Sequence, residues 1–260
     1  MKLTAAVAAV ALLVGAAAAE ARPLRILSLD QCADQYVLAL KPEAELALSP
    51  RADDSDSRLR DLAGGRLKVR PTLEAALSFQ PDVVVRYWGG DVRLLAALRN
   101  RGVKVVEIPD ARDFASVASA IRQVAESLDA VPAGEVLAHR LETNPPTEHR
   151  GEAVYLTSGG YTAGEGTLVD AILRAAGYRN GIRASGYQPL SVEKIALDPP
   201  ARFVLGFFDL IRGDWRGAGR HPVVQGIARE RMAGRLPADT LTCPAWFAAD
   251  AADLLREGAE

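Results

Sequence analysis

Two segments of this chain repeat one pattern, and no other feature narrows the possible folds so far. The first runs from Pro71-Thr72-Leu73-Glu74 to Pro81-Asp82-Val83-Val84-Val85-Arg86-Tyr87-Trp88. The second runs from Pro189-Leu190-Ser191-Val192-Glu193 to Pro199-Pro200-Ala201-Arg202-Phe203-Val204-Leu205-Gly206-Phe207-Phe208. In each, a glutamate stands near the start of a short helical stretch, a proline follows seven residues later, and a buried-type strand ends in an aromatic pair. A unit written twice predicts two similar lobes, and two lobes leave a cleft between them.

The rest of the pattern agrees. Short apolar runs at 25–29, 46–48, 83–85 and 103–108 alternate with helical stretches at 33–40, 74–79 and 91–101, the last closed by Gly102. Such alternation predicts a parallel α/β sheet. The pattern then becomes purely helical. Phe114, Val117, Ala118, Ile121, Val124, Ala125 and Leu128 fall at steps of three and four, one apolar helix face, and Pro132 opens a second helix that Asn144-Pro145-Pro146 stops. Alternation resumes with strands at 153–157, 203–208 and 240–242 and helices at 167–176, 191–196, 222–232 and 248–256. The expected architecture is α/β: two Rossmann-like lobes with parallel sheets, residues 22–112 and 151–260, joined by a helical crossing over 113–150, with a ligand cleft between the lobes.

Residues 1–21 read as a secretory signal. Lys2 supplies the positive start, 5–13 the apolar run, and Ala19-Glu20-Ala21 a small-x-small cleavage site. The expected mature chain, starting near Arg22, is soluble and exported. Net charge is −2, which predicts neither nucleic acid nor an anionic membrane as partner; a monomer is expected. The two cysteines, Cys32 and Cys243, would lie in different lobes. An oxidising compartment permits them to pair only if their Cα atoms come within about 7 Å, and the sequence leaves that open.

No residue pattern announces catalysis. His139, His149 and His221 lack i,i+4 spacing and a Cys pair, so no metal site and no cofactor is expected. Gly159-Gly160-Tyr161-Thr162-Ala163-Gly164-Glu165-Gly166-Thr167 resembles a phosphate loop but holds Gly166 where Lys is required, and Glu165 repels phosphate. It reads instead as a tight turn carrying Tyr161, with Thr167 as an N-cap. No G-x-S-x-G is present. Aromatic residues gather at strand ends, where open α/β sheets bind ligands. Tyr87, Trp88, Tyr161, Phe208, Trp215 and Trp246 are the candidate cleft walls, and Arg51 and Asp53 in the loop after the second strand are candidate polar contacts. Glu74 and Glu193 suit the amino ends of their helices. Their matched placement also suits two docking points for one partner.

These residues resemble a family: the periplasmic substrate-binding proteins of ABC importers for ferric siderophores, haem and cobalamin, the helical-backbone class. The resemblance spans about 25–255 and rests on Ile26-Leu27-Ser28-Leu29-Asp30-Gln31-Cys32-Ala33-Asp34, Leu73-Glu74 with Pro81-Asp82-Val83-Val84-Val85, and Tyr161-Thr162-Ala163-Gly164-Glu165-Gly166-Thr167-Leu168. Ala176-Gly177-Tyr178-Arg179-Asn180 and Leu190-Ser191-Val192-Glu193 add to it. It implies a non-enzymatic protein that holds a metal chelate between two lobes bridged by a long helix. It also implies a docking glutamate on each lobe for the arginines of an inner-membrane ABC permease, at Glu74 and Glu193. Tyr87-Trp88-Gly89-Gly90 is similar to the cobalamin-binding members, as are the aromatics at Tyr161 and Trp246. Two departures stand out. The crossing helix over 133–141 is short, and Arg51 occupies a place where cobalamin binders carry an aromatic, which weakens cobalamin and admits an anionic chelate. The alternative from the residues alone is an exported α/β enzyme, a hydrolase or chelatase, acting in the same cleft.

Overall fold

The computed structural model describes residues 22–143, 148–210 and 216–258. The first lobe is a five-stranded sheet in the order β3-β2-β1-β4-β5, with every pairing parallel. Its strands are β1 (Arg25–Ser28), β2 (Glu45–Leu48), β3 (Leu67–Lys68), β4 (Val83–Arg86) and β5 (Lys104–Glu107). Alternate residues of a strand face opposite sides, and both faces are covered. Ile26, Val83 and Val85 pack toward α1 (Gln31–Leu40), while Leu27 and Val84 pack toward α2 (Leu73–Phe79) and α3 (Val92–Arg99). Burial on both sides explains why these runs are continuously apolar rather than alternating.

The crossing consists of two helices. Helix α4 (Phe114–Ser127) begins at Asp113, whose carboxylate accepts the Ser116 N–H while the Ser116 hydroxyl accepts the Asp113 N–H. Helix α5 (Val131–Glu142) follows after a three-residue turn, with Pro132 in its first turn. Gly134 brings the pair together, since a Cβ there would stand 2.3 Å from the Ala125 Cβ. The short crossing expected over 133–141 is therefore one arm of a packed helical hairpin. At 1.5 Å per residue its arms are roughly 18–21 Å long. The stop expected at Asn144-Pro145-Pro146 lies outside the described residues.

The second lobe holds a four-stranded parallel sheet in the order β11-β10-β6-β8, formed by β6 (Glu152–Thr157), β8 (Arg179–Asn180), β10 (Phe203–Gly206) and β11 (Met232–Leu236). Val154, Leu156, Phe203 and Leu205 pack on α7 (Val192–Leu197) and α8 (Pro222–Glu230). Ala153, Tyr155 and Val204 face the other way, toward α6 (Leu168–Ala175) and α9 (Ala248–Glu257). That inner face shares one continuous core with the inner face of the first sheet, through α4 and α5.

Two expectations need correction. Residues 240–242 form no strand. The edge strand is β11, inside and just past the stretch read as a helix to 232, because pairing with β10 overrides the weak strand preference of Met-Ala-Gly-Arg-Leu. Residues 159–167 are also more than a tight turn. Within them β7 (Tyr161–Ala163) pairs antiparallel with β9 (Tyr187–Pro189), a partner more than twenty residues away that local pattern does not reveal.

Candidate functional site

A cleft of about 600 Å³ opens between the lobes, at the carboxyl ends of the strands. From the first lobe it is lined by Tyr87, just after β4, and by Asp110, Ala111 and Arg112, after β5. The second lobe supplies 165–168 ahead of α6, Ser185 to Tyr187 leading into β9, and Leu241, Thr242 and Pro244 after β11. Carboxyl-end crevices are where open α/β sheets take ligands. A groove of about 630 Å³ lies at the opposite end of the first sheet. There Arg22 pairs with Asp82 and Arg25 with Glu45 beside it.

Asp30 builds the first wall. It is 1 % exposed. One carboxylate oxygen accepts the Cys32 and Ala33 N–H groups and caps α1. The other accepts three consecutive N–H groups, from Tyr87 (2.7 Å), Trp88 (3.1 Å) and Gly89 (2.8 Å). The turn after β4 is thus wrapped around one buried carboxylate. Gly89 is obligatory, because a Cβ would stand 2.3 Å from the Leu29 carbonyl oxygen. The Tyr87 hydroxyl donates to Asp110 Oδ1 at 2.9 Å. Burial, with the Asp110 carboxylate beside it, holds the Tyr87 phenol above its ordinary range, so the ring stays a neutral donor at neutral pH. Arg112 Nε lies 3.7 Å from Asp110 Oδ2, with its side chain largely exposed to the cleft.

The second wall is the β7–β9 strand pair and the turn before α6. Gly164 lies against the Ala184 carbonyl, which sets Glu165 beside Ser185. Thr167 caps α6 by accepting the Asp170 N–H at 3.1 Å, the role expected for it. Tyr187 is 64 % exposed and faces the cleft. Together the walls offer two phenol rings, a guanidinium, two carboxylates and small hydroxyls. That set can grip a flat polar-edged ligand. Among the described residues no group of three His, Cys, Asp or Glu side chains gathers to hold a metal ion directly.

Of the predicted cleft residues, Tyr87 lines the cleft. Trp88 is 56 % exposed on the adjoining turn, and Tyr161 is 54 % exposed on β7; neither is among the lining residues. Phe208 is half-buried beneath Arg220, whose guanidinium lies 5.4 Å from the ring centre and donates to the Phe208 carbonyl. Trp246 is a correction. It is 4 % exposed, edge-on to Tyr36 and Phe247 at 6.0 and 5.4 Å, because the chain after β11 folds inward to seal the core between the lobes. Trp215 lies outside the described residues. Arg51 and Asp53 are also absent from the cleft lining. Arg51 bonds to Asp54 at 2.8 Å and Asp56 at 3.2 Å within its own loop, and Asp53 pairs with Lys68 at 2.6 Å. Partners within the first lobe hold these charges. Glu74 and Glu193 are both exposed, in the first turns of α2 and α7.

The reading by residue type missed Tyr187, Asp110 and Arg112. Asp110 and Arg112 follow the apolar run 103–108 but are charged where aromatics were sought, and Tyr187 reaches the cleft only through the long-range β7–β9 pairing. Cys32 and Cys243 are joined in a disulfide with Cα atoms 5.4 Å apart.

Two parallel α/β lobes joined by a helical hairpin, with a ligand-sized cleft between them, are the architecture of a two-lobe binding protein. The chain belongs to the periplasmic binding protein family, whose model matches residues 26–239; the family's members are substrate-binding proteins rather than enzymes. Solved structures share the fold. The periplasmic haem-binding protein HutB of Vibrio cholerae superposes with a TM-score of 0.69 at 17 % identity, covering 90 % of this chain and 98 % of its own. The periplasmic haem-binding protein BhuT, solved with two haems, gives 0.66 at 23 % identity, covering 90 % and 96 %. The periplasmic vitamin B12-binding protein BtuF of Vibrio cholerae gives 0.63 at 20 % identity, also covering 90 % and 96 %. Among curated proteins none matches the sequence.

Proposed function

We propose that this protein captures a metal chelate of the haem, cobalamin or ferric-siderophore kind in the periplasm and delivers it to an inner-membrane ABC permease. The observation that carries the proposal is the cleft itself, about 600 Å³ and walled by Tyr87 from one lobe and Tyr187 from the other. That volume is ordinary for a small-molecule site, in the range of about 300–1,000 Å³. Aromatic rings supplied by both lobes suit a broad flat ligand, with affinity drawn from buried ring area. The fold shared with haem- and vitamin B12-binding proteins supports the same class of ligand.

The polar equipment refines the choice. Arg112 is the cleft's guanidinium and suits a ligand carboxylate. Asp110 and Glu165 accept donors at the ligand's rim. Exposed Glu74 and Glu193, one on each lobe, meet basic residues of the permease, and residues 1–21 direct export of a chain that works as a monomer.

Purified protein titrated separately with haemin, cyanocobalamin and a ferric hydroxamate, followed by tryptophan fluorescence and visible absorbance, tests the reading. Saturable binding of one of them is expected. Silence with all three would remove it.

A further inference from the structure

The Cys32–Cys243 disulfide joins the two walls of the cleft. Cys243 is flanked by Thr242 and Pro244, which both line the cleft from the second lobe. Cys32 is the second residue of α1, and its N–H is held by the same Asp30 carboxylate that gathers Tyr87, Trp88 and Gly89. A short path therefore runs from the Tyr87 wall, by hydrogen bonds to Asp30 and then covalently through Cys32 and the disulfide, to the Thr242–Pro244 wall. It spans 211 residues of sequence.

Other contacts stitch the same seam. The Tyr36 hydroxyl donates to the Pro244 carbonyl at 2.8 Å, and Arg58 pairs with Asp239 at 3.3 Å and Asp250 at 3.0 Å. The Tyr36 bond enters beside the disulfide, and the Arg58 pairs are partly exposed to water, where ion pairs hold geometry weakly. Residues 241–247 belong to no strand or α-helix; core packing of Ala245, Trp246 and Phe247 holds their far end, and the cleft-lining residues 241–244 lie next to the disulfide. The disulfide is the one covalent constraint between this segment and the first lobe.

We infer that Cys32 and Cys243 are positioning residues for ligand capture: their disulfide sets the spacing between the Tyr87 wall and the Leu241–Pro244 wall, so the cleft is preorganised at binding width. This rests on the cleft being the ligand site. Preorganisation raises affinity by removing the cost of ordering the walls on binding. Without the bond the binding-competent spacing becomes one state among several, and apparent affinity falls in proportion to its population. The bond is buried, with both sulfurs' residues 2 % exposed, which suits a permanent spacer.

The test compares oxidised protein, protein reduced with a phosphine under mild denaturant and returned to buffer, and the Cys32→Ser/Cys243→Ser variant. All are held well below their melting temperatures, with folding checked by circular dichroism. Haemin and cyanocobalamin are the probes, and amide hydrogen exchange is followed in 30–33, 87–90 and 241–246. The expected result is a loss of affinity on the order of tenfold, carried by both the reduced and the double-serine forms, if about a tenth of molecules keep the oxidised spacing. Faster exchange confined to the three segments, and recovery on reoxidation, accompany it. A lower melting temperature with unchanged affinity and unchanged exchange in those segments would overturn the inference and leave the bond a stabiliser alone. If oxidised protein binds neither probe, haem and cobalamin fall as ligands. The exchange data still decide the inference: faster exchange in both walls on reduction supports the spacer, and unchanged exchange overturns it. Should the double variant fail to fold, the reduced wild type carries the comparison.

Discussion

Asp30 Oδ2 accepts the Gly89 N–H at 2.8 Å, across 59 residues of sequence, as the last of three consecutive N–H groups gathered on that oxygen. The same carboxylate caps α1. One buried side chain thereby fixes both the start of the first helix and the turn that presents Tyr87 to the cleft.

Replacing Asp30 by Asn leaves one acceptor oxygen for five N–H donors and aims an amide N–H₂ at some of them. Charge-assisted bonds to buried groups contribute roughly 1.5–3 kcal/mol each, and an orphaned donor adds its desolvation cost. Urea unfolding of Asp30→Asn is expected to show a loss of about 3 kcal/mol or more. A loss below about 1 kcal/mol would mean that solvent replaces the carboxylate.

Gly89→Ala tests the same turn from its steric side. The added methyl would meet the Leu29 carbonyl at 2.3 Å, so the backbone must shift. Overpacking of this kind costs about 1–3 kcal/mol, and the Trp88 emission spectrum is expected to shift with it. An unchanged melting temperature would contradict the close approach.

Asp34 makes stability depend on pH. It is fully buried, and its carboxylate accepts the Ser49 N–H and hydroxyl. Burial outweighs those bonds and pushes its pKa up to about 6, against roughly 3.9 in an unfolded chain. Between those values the native state binds more protons than the unfolded state, so this group's contribution to stability falls as pH rises from about 4 to about 6. At about 1.4 kcal/mol per pKa unit the whole span is on the order of 3 kcal/mol. Unfolding of wild type and Asp34→Asn across that window is expected to show a downward drift in the wild type that the variant lacks. Parallel curves would rule this out.

Cleft substitutions separate wall from bystander. Tyr87→Ala and Tyr187→Ala are each expected to weaken binding of the titrating chelate about tenfold or more, since buried aromatic anchors dominate binding energy. Arg51→Ala, whose guanidinium is occupied by Asp54 and Asp56, is expected to change affinity less than about twofold, the scale of an exposed pair. Calorimetric titration of the three variants decides between them. A large effect at Arg51 with none at Tyr187 would relocate the site.

Charge reversal at both Glu74 and Glu193 is expected to abolish chelate uptake in cells while leaving affinity of the purified protein intact. Both side chains are exposed and neither lines the cleft. Uptake at the wild-type rate would exclude a docking role.

Much of this architecture is legible residue by residue. Continuous β-branched runs such as Val83–Val85 read as strands covered on both faces, and Asp91, Asp113, Thr167 and Ser191 announce helix starts through a side chain that needs only its own third neighbour. These signals are local, so the chain carries them before it folds. The strand β11 escaped because its residues have little preference of their own and form a strand only because β10 lies beside them.

The site divides along the same line. That aromatics would gather at strand ends follows from the alternation of strand and helix. Which of them face the ligand does not, because a side chain's chemistry says nothing of what folding sets opposite it. Trp246 and Tyr187 are both large aromatics near a turn. One is sealed against Tyr36 in the core between the lobes, and the other stands open in the cleft. Arg51 lost its place to carboxylates three and five residues away, while Arg112 kept its guanidinium in the cleft. The pairing of Cys32 with Cys243 is the extreme case. Two residues 211 apart become neighbours only when the chain after the last strand folds back over the first helix, and that closure is a property of the packed core rather than of either segment.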